Sequence, residues 1–133
     1  MAGVQVLIVE DNEKGMKLFR DVLAANGYRT LEASTGGQAF DLAFEHGPDL
    51  VLMDIQLPDV DGVEVLRRLR ADERTASISV LALTAQAMHG DREHFLAAGF
   101  DGYISKPVDV VELIGTVRKY CDGLRGRCAA SWS

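Results

Sequence analysis

The chain has 133 residues, 47% of them hydrophobic and 26% charged, with a net charge of −6. That length favours one domain with a two-sided core, and the proportions are those of an ordinary globular protein. An acidic chain with no Lys/Arg-rich stripe is poorly suited to hold nucleic acid by its phosphates, and no apolar run approaches bilayer length, so neither nucleic acid nor membrane insertion is expected. The opening apolar run, Val4 to Val9, is too short for a secretory leader. Cys121 and Cys128 lack CxxC spacing and read as reduced thiols of a cytoplasmic protein. His46, His89 and His94 are scattered and read as surface residues.

Taken in order, Val4–Val9 is β-branched and apolar and reads as the first strand, closed by Glu10 and Asp11. A helical pattern runs from about Glu13 to Asn26, with Gly15, Leu18, Phe19, Val22 and Leu23 on one face, Met16 at its edge and Gly27 as the stop. Tyr28–Ala33 is a more polar strand suited to a sheet edge. Ser34 or Thr35 can cap the next helix, which carries Ala39, Phe40, Leu42, Ala43 and Phe44 and ends at Gly47-Pro48. Within Asp49–Asp54 the apolar run Leu50–Met53 ends in a carboxylate, the pattern of a strand buried on both faces. After a loop over Leu57–Gly62, a helix places Val63, Val65, Leu66 and Leu69 inward and Arg67, Arg68 and Arg70 in solvent. Ile78–Thr84 is the fourth strand, Asp91–Ala98 a short helix stopped by Gly99, and Gly102–Ser105 the fifth strand. The last helix, about Val108 to Cys121, is expected to bury Val111, Leu113, Ile114 and Val117, and Gly115 within it costs about 1 kcal/mol relative to Ala.

Strand and helix alternate five times, which argues for a doubly wound α/β fold: a parallel sheet with right-handed crossovers and helices on both faces. Residues 1–122 form the one domain, and the Gly-, Arg-, Ser- and Ala-rich residues 123–133 read as a frayed, disordered tail.

Glu10/Asp11, Asp54, Thr84 and Lys106 each directly follow an expected strand, so they meet at the carboxyl edge of one sheet. That edge is where open α/β folds hold ligands. Three converging carboxylates repel one another unless a cation lies among them, and a small all-oxygen set suits Mg2+. Thr84 adds a hydroxyl and Lys106 a mobile positive charge that can reach a phosphoryl oxygen. Such a site suits phosphoryl binding with one carboxylate as nucleophile, and Asp54, central and on the most buried strand, is the natural choice. Taken singly, Asp11 can be a helix cap, Thr84 a strand residue and Lys106 a solvated charge; taken together, they point to a site.

Glu10-Asp11, Met53-Asp54 with Pro58 and Gly62, Thr84-Ala85 and Lys106-Pro107 resemble the receiver domains of bacterial two-component response regulators, over about Val4 to Cys121. In finer detail, Val9–Asn12, Met16–Phe19, Met53–Pro58 and Tyr103–Pro107 resemble the stand-alone cell-division regulators of the DivK type. The resemblance implies a flavodoxin-like (CheY-like) sheet of five strands in the order 2-1-3-4-5, with five helices. It also implies that Asp54 accepts a phosphoryl group from a sensor histidine kinase. Asp11, Asp54, the Gln56 backbone carbonyl and Glu10 through water would hold Mg2+, while Thr84 and Lys106 bind the phosphoryl oxygens. Tyr103 matches an aromatic that turns inward with Thr84, and Gln56 and Gln86 match positions that tune dephosphorylation. Met16, Lys17, Phe19 and Arg20 are the part of the first helix expected to meet the kinase. A downstream kinase, cyclase or other regulatory protein would read the face of the fourth helix, fifth strand and last helix.

Two other functions compete. A phosphatase of the haloacid-dehalogenase type works through an aspartyl-phosphate, but its general acid two residues beyond the nucleophile is replaced here by Gln56, which cannot donate that proton. No enzymatic turnover beyond slow self-dephosphorylation is therefore expected. A receiver-shaped scaffold that is never phosphorylated would have no use for the complete set of acids, Thr84 and Lys106.

Overall fold

A computed structural model describes residues 4–55, 57–84, 96–106 and 108–120. Gln56, Gln86, Pro107, both cysteines and the expected tail lie outside the described residues. The strands are β1 (Gln5–Val9), β2 (Arg29–Ala33), β3 (Leu50–Asp54), β4 (Ser79–Thr84) and β5 (Gly102–Ser105). Helices α1 (Glu13–Ala25), α2 (Gly36–His46) and α3 (Gly62–Ala71) alternate with them. A fourth helix, α4, is described at 96–98 and a fifth, α5, over 110–120. Every strand pairing is parallel, in the order β2-β1-β3-β4-β5.

Side chains alternate across the sheet with period two and build two cores. Leu7, Val9, Val51 and Met53 face α2 and α3, where they meet Ala39, Ala43, Val65, Leu66 and Leu69. Val6, Ile8, Leu50 and Leu52 face the other way, onto Phe19 and Leu23 of α1 and Leu113 and Val117 of α5. The middle strand β3 is buried at all five positions, as its unbroken apolar run requires. The polar strand β2 lies at the edge.

Short polar residues start the helices by accepting amides that have no partner within the helix. Asn12, not Asp11, caps α1, its side chain accepting the N–H groups of Lys14 and Gly15. Thr35 caps α2, Asp61 caps α3, and Asp109 accepts the amides of Val111 and Glu112 at the start of α5. Gly47 and Gly99 end their helices with φ of 57° and 113°, in the left-handed region that glycine enters without strain.

Three expected faces are corrected. In α1 the buried row is Met16, Phe19 and Leu23, while Leu18 is 38% exposed. The spacing allows either stripe, and packing puts the largest ring, Phe19, at the centre against β1 and β3. In α5 Leu113 and Val117 are buried, but Val111 is 81% exposed because it lies in the first turn, rotated away from the sheet. Arg70 is not solvated: its guanidinium donates to the carbonyls of Ala76, Ile78 and Gly99 and to Asp101, closing the underside of α3. Nothing in the structure explains Gly115, which faces open space.

Candidate functional site

Sheet register determines what meets at the carboxyl edge. Val9 pairs with Met53, Asp54 with Leu83 and Thr84 with Ser105, so the ends of the four central and outer strands β1, β3, β4 and β5 lie abreast. Glu10 continues β1, its N–H donating to the Ala33 carbonyl at 3.0 Å, and its side chain is 2% exposed. Asp54 ends β3 with its side chain 8% exposed. Asp11 is exposed beside them, and Glu10, Asp11 and Asp54 can each offer an oxygen within 4.8 Å of the others.

Two glycines make room for these acids. A Cβ at Gly15 would stand 3.3 Å from Glu10 Cγ, so α1 passes over the Glu10 side chain without one of its own. A Cβ at Gly62 would stand 2.6 Å from the Asp54 carbonyl oxygen, so only glycine lets α3 begin directly behind β3.

Lys106 completes the cluster from the far strand. Its backbone N–H donates to Thr84 O at 2.7 Å, and its Nζ donates to Glu10 Oε2 at 2.7 Å and to Asp54 Oδ2 at 3.0 Å. One ammonium therefore serves two buried carboxylates, with a third carboxylate beside them. Burial pushes the Glu10 carboxyl above its ordinary 4.5; Lys106 opposes this and neighbouring Asp54 adds to it. Burial alone would lower the Lys106 ammonium, but its bonds to Glu10 and Asp54 outweigh that and hold it above the ordinary 10.5. The excess of negative charge in an all-oxygen setting fits a small hard dication.

Thr84 is buried at the end of β4. Tyr103 is half-buried on β5 and packs against the core under α2 and α3. Of the four residues expected to meet a kinase, Lys17 and Arg20 are exposed and paired with Asp21 and Glu32. Phe19, at 1% exposure, and Met16, at 9%, face the core, so Phe19 cannot present its ring to a partner. A cleft of about 470 Å³ opens beside the acids, between α1 and the β2–α2 turn, and is lined by Asp11, Lys17, Arg20 and Ser34 among others.

Sequence reasoning missed the Glu10–Lys106 pair, the Arg70 bonds and Asp59. The Asp59 carboxylate, on the loop after β3, accepts the first two amides of α2. The side-chain-free pair Gly36-Gly37 behind a capping Thr was the available signal for it. Nothing in the local sequence distinguishes Arg70 from its solvated neighbours.

The fold and this cluster define a receiver domain. The response regulator receiver domain family matches residues 6–118, and the chain belongs to that family. Among curated proteins, it is 53% identical over 115 residues to the polar-differentiation response regulator DivK of Brucella ovis, a match covering 86% of this chain and 94% of that protein. The DivK of Brucella anthropi is 52% identical over the same length and shares. Among solved structures, the receiver domain of a sensor histidine kinase from Pseudomonas aeruginosa PAO1 superposes with a TM-score of 0.83 at 36% identity, covering 91% of this chain and 99% of that one. That structure has a magnesium ion coordinated in its active-site cleft. The receiver domain of a Francisella response regulator gives a TM-score of 0.85 at 26% identity, covering 92% and 99%. Among the described residues, no helix is long and apolar enough to cross a membrane.

Proposed function

We propose that this protein is a single-domain, phosphorylation-controlled switch in bacterial cell-cycle or cell-division signalling, acting in the cytoplasm. The observation that carries the reading is the Lys106 ammonium held between Glu10 and Asp54, with Asp11 alongside. A carboxylate nucleophile attacks as its anion and has no proton to lose, so the transfer calls for no general base. One of its carboxylate oxygens attacks the phosphorus of a phosphohistidine on a sensor kinase. The P–O bond forms as the P–N bond breaks, and the electron pair leaves on the imidazole nitrogen.

Asp11 and Asp54, the Gln56 backbone carbonyl and Glu10 through water would hold Mg2+. When bound, the ion supplies positive charge against the phosphoryl oxygens. Lys106, which here serves two carboxylates, would meet a phosphoryl oxygen, and the Thr84 hydroxyl would donate to another. Movement of Thr84 toward the phosphoryl group draws Tyr103 inward, and the face built from α4, β5 and α5 is read by a downstream kinase, cyclase or other regulatory protein. Gln56 and Gln86 tune slow self-dephosphorylation. On α1, Met16, Lys17 and Arg20, which line the cleft beside the acids, would meet the donor kinase.

The test is phosphotransfer from radiolabelled, autophosphorylated histidine kinases. Wild-type protein is expected to take label rapidly from at least one kinase in Mg2+, and Asp54→Asn to take none. Equal labelling of Asp54→Asn would sink the assignment.

A further inference from the structure

Asp59 belongs to none of the groups assigned above to the metal or the phosphoryl group. Its two oxygens are divided between two donors: Oδ1 accepts the Gly36 N–H at 2.8 Å and Oδ2 the Gly37 N–H at 3.0 Å. These are the first two amides of α2, which a helix cannot satisfy internally, and Thr35 takes only that of Gln38. The negative charge also faces the positive end of the helix dipole. Gly36 and Gly37 hold the Asp59 carboxyl below its ordinary 3.8, so the bonds are made by its charged form.

Packing makes this contact close. A Cβ at Gly36 would overlap the Val60 and Val65 methyl groups, so the β3–α3 loop lies directly on the first turn of α2. The same loop is tied elsewhere. Ile55 N–H donates to Leu83 O on β4 at 3.1 Å, and Gly62 N–H donates back to Ile55 O at 3.0 Å. The backbone leaving Asp54 is thus fixed to β4, to the start of α3 and, through Asp59, to α2.

We propose that Asp59 is a positioning residue for the metal centre. Its clamp on the two α2 amides sets the path of the loop leaving Asp54, and with it the affinity of the acid cluster for a divalent cation. This rests on reading that cluster as a Mg2+ site. The loop begins at one assigned ligand, Asp54, so a loosened path misplaces that carboxylate against Glu10 and Asp11.

Calorimetric titration of the full chain with Mg2+ tests the proposal in wild type, Asp59→Asn, Asp59→Ser and Glu13→Gln. Glu13 lines the cleft beside Glu10 and Asp11 on α1, so Glu13→Gln removes a nearby charge without touching the loop. Asp59→Asn is expected to raise the Mg2+ Kd about tenfold, the usual scale for residues that orient metal ligands. Asp59→Ser should act similarly, and Glu13→Gln much less. A merely structural role would lower the metal-free unfolding temperature and leave Kd unchanged, which would overturn the proposal. Equal weakening by Glu13→Gln would also overturn it, because charge alone would then suffice. A wild-type chain that binds no Mg2+ would overturn the reading of the acid cluster itself, and this inference with it.

Discussion

Lys106 is a single ammonium shared by two carboxylates that are almost fully buried. Lys106→Met would take the cation away from both, leaving Glu10 with the Asn12 N–H that its other oxygen accepts. Breaking a fully buried pair costs about 3–5 kcal/mol, and because the Lys106 side chain is 28% exposed the expected loss is smaller, about 2 kcal/mol, in Mg2+-free denaturant unfolding. The pH dependence has two opposite origins. The folded Lys106 titrates above 10.5, so its contribution is complete below that pH and disappears as pH rises through the folded value. The folded Glu10 titrates above 4.5, so between 4.5 and its folded value the folded state binds the extra proton and stability falls as pH rises. Glu10→Gln should flatten this acid-side slope in the metal-free protein; an unchanged slope would show that another group causes it. Such pairings were hard to read in advance. The residues at the strand ends were legible because each follows an apolar run, but which of three acids Lys106 bonds depends on register across four strands. Asp59 and Arg70 bond backbone groups on distant segments, and a contact of that kind leaves no periodicity.

At the scale of elements, the alternation of strands and helices was legible because it depends only on apolar spacing and on Gly, Pro and capping residues. The rotation of a helix about its axis was less so. Leu18 and Val111 were expected inside and lie outside, because two apolar stripes overlap in α1 and because Val111 stands about 200° round α5 from the buried Leu113. Where a helix start abuts the site, geometry is tight enough to test. Gly62→Ala would press a methyl group to 2.6 Å from the Asp54 carbonyl, so α3 or the end of β3 must move. Overpacking of this kind costs about 1–3 kcal/mol. The expected result is a lower unfolding midpoint together with slower phosphotransfer to Asp54. Slower transfer sets this apart from a simple stability loss, and a variant with wild-type transfer would show that α3 is free to shift without consequence.

For the whole molecule, two cores clamp one sheet, and the edge strand β5 is held differently at its two ends. At its start Asp101 donates its N–H to Val80 O at 2.8 Å, its carboxylate accepts from Val80 N at 2.7 Å and from Arg70, and its carbonyl accepts from Tyr120 at 2.7 Å. At the far end Lys106 bonds the acids of the site. Asp54 is thus bonded to the end of β5 nearest the site, and the opposite end is bonded to β4, α3 and α5. The most direct measurement is to locate the phosphoryl group: label the protein from a phosphohistidine donor, reduce the acyl phosphate with borohydride, and sequence the peptides with and without Mg2+. The expected result is modification at Asp54 alone, appearing only when Mg2+ is present. Label on another residue, or uptake at Asp54 that proceeds equally in chelator, would contradict the shared acid, hydroxyl and amine pocket.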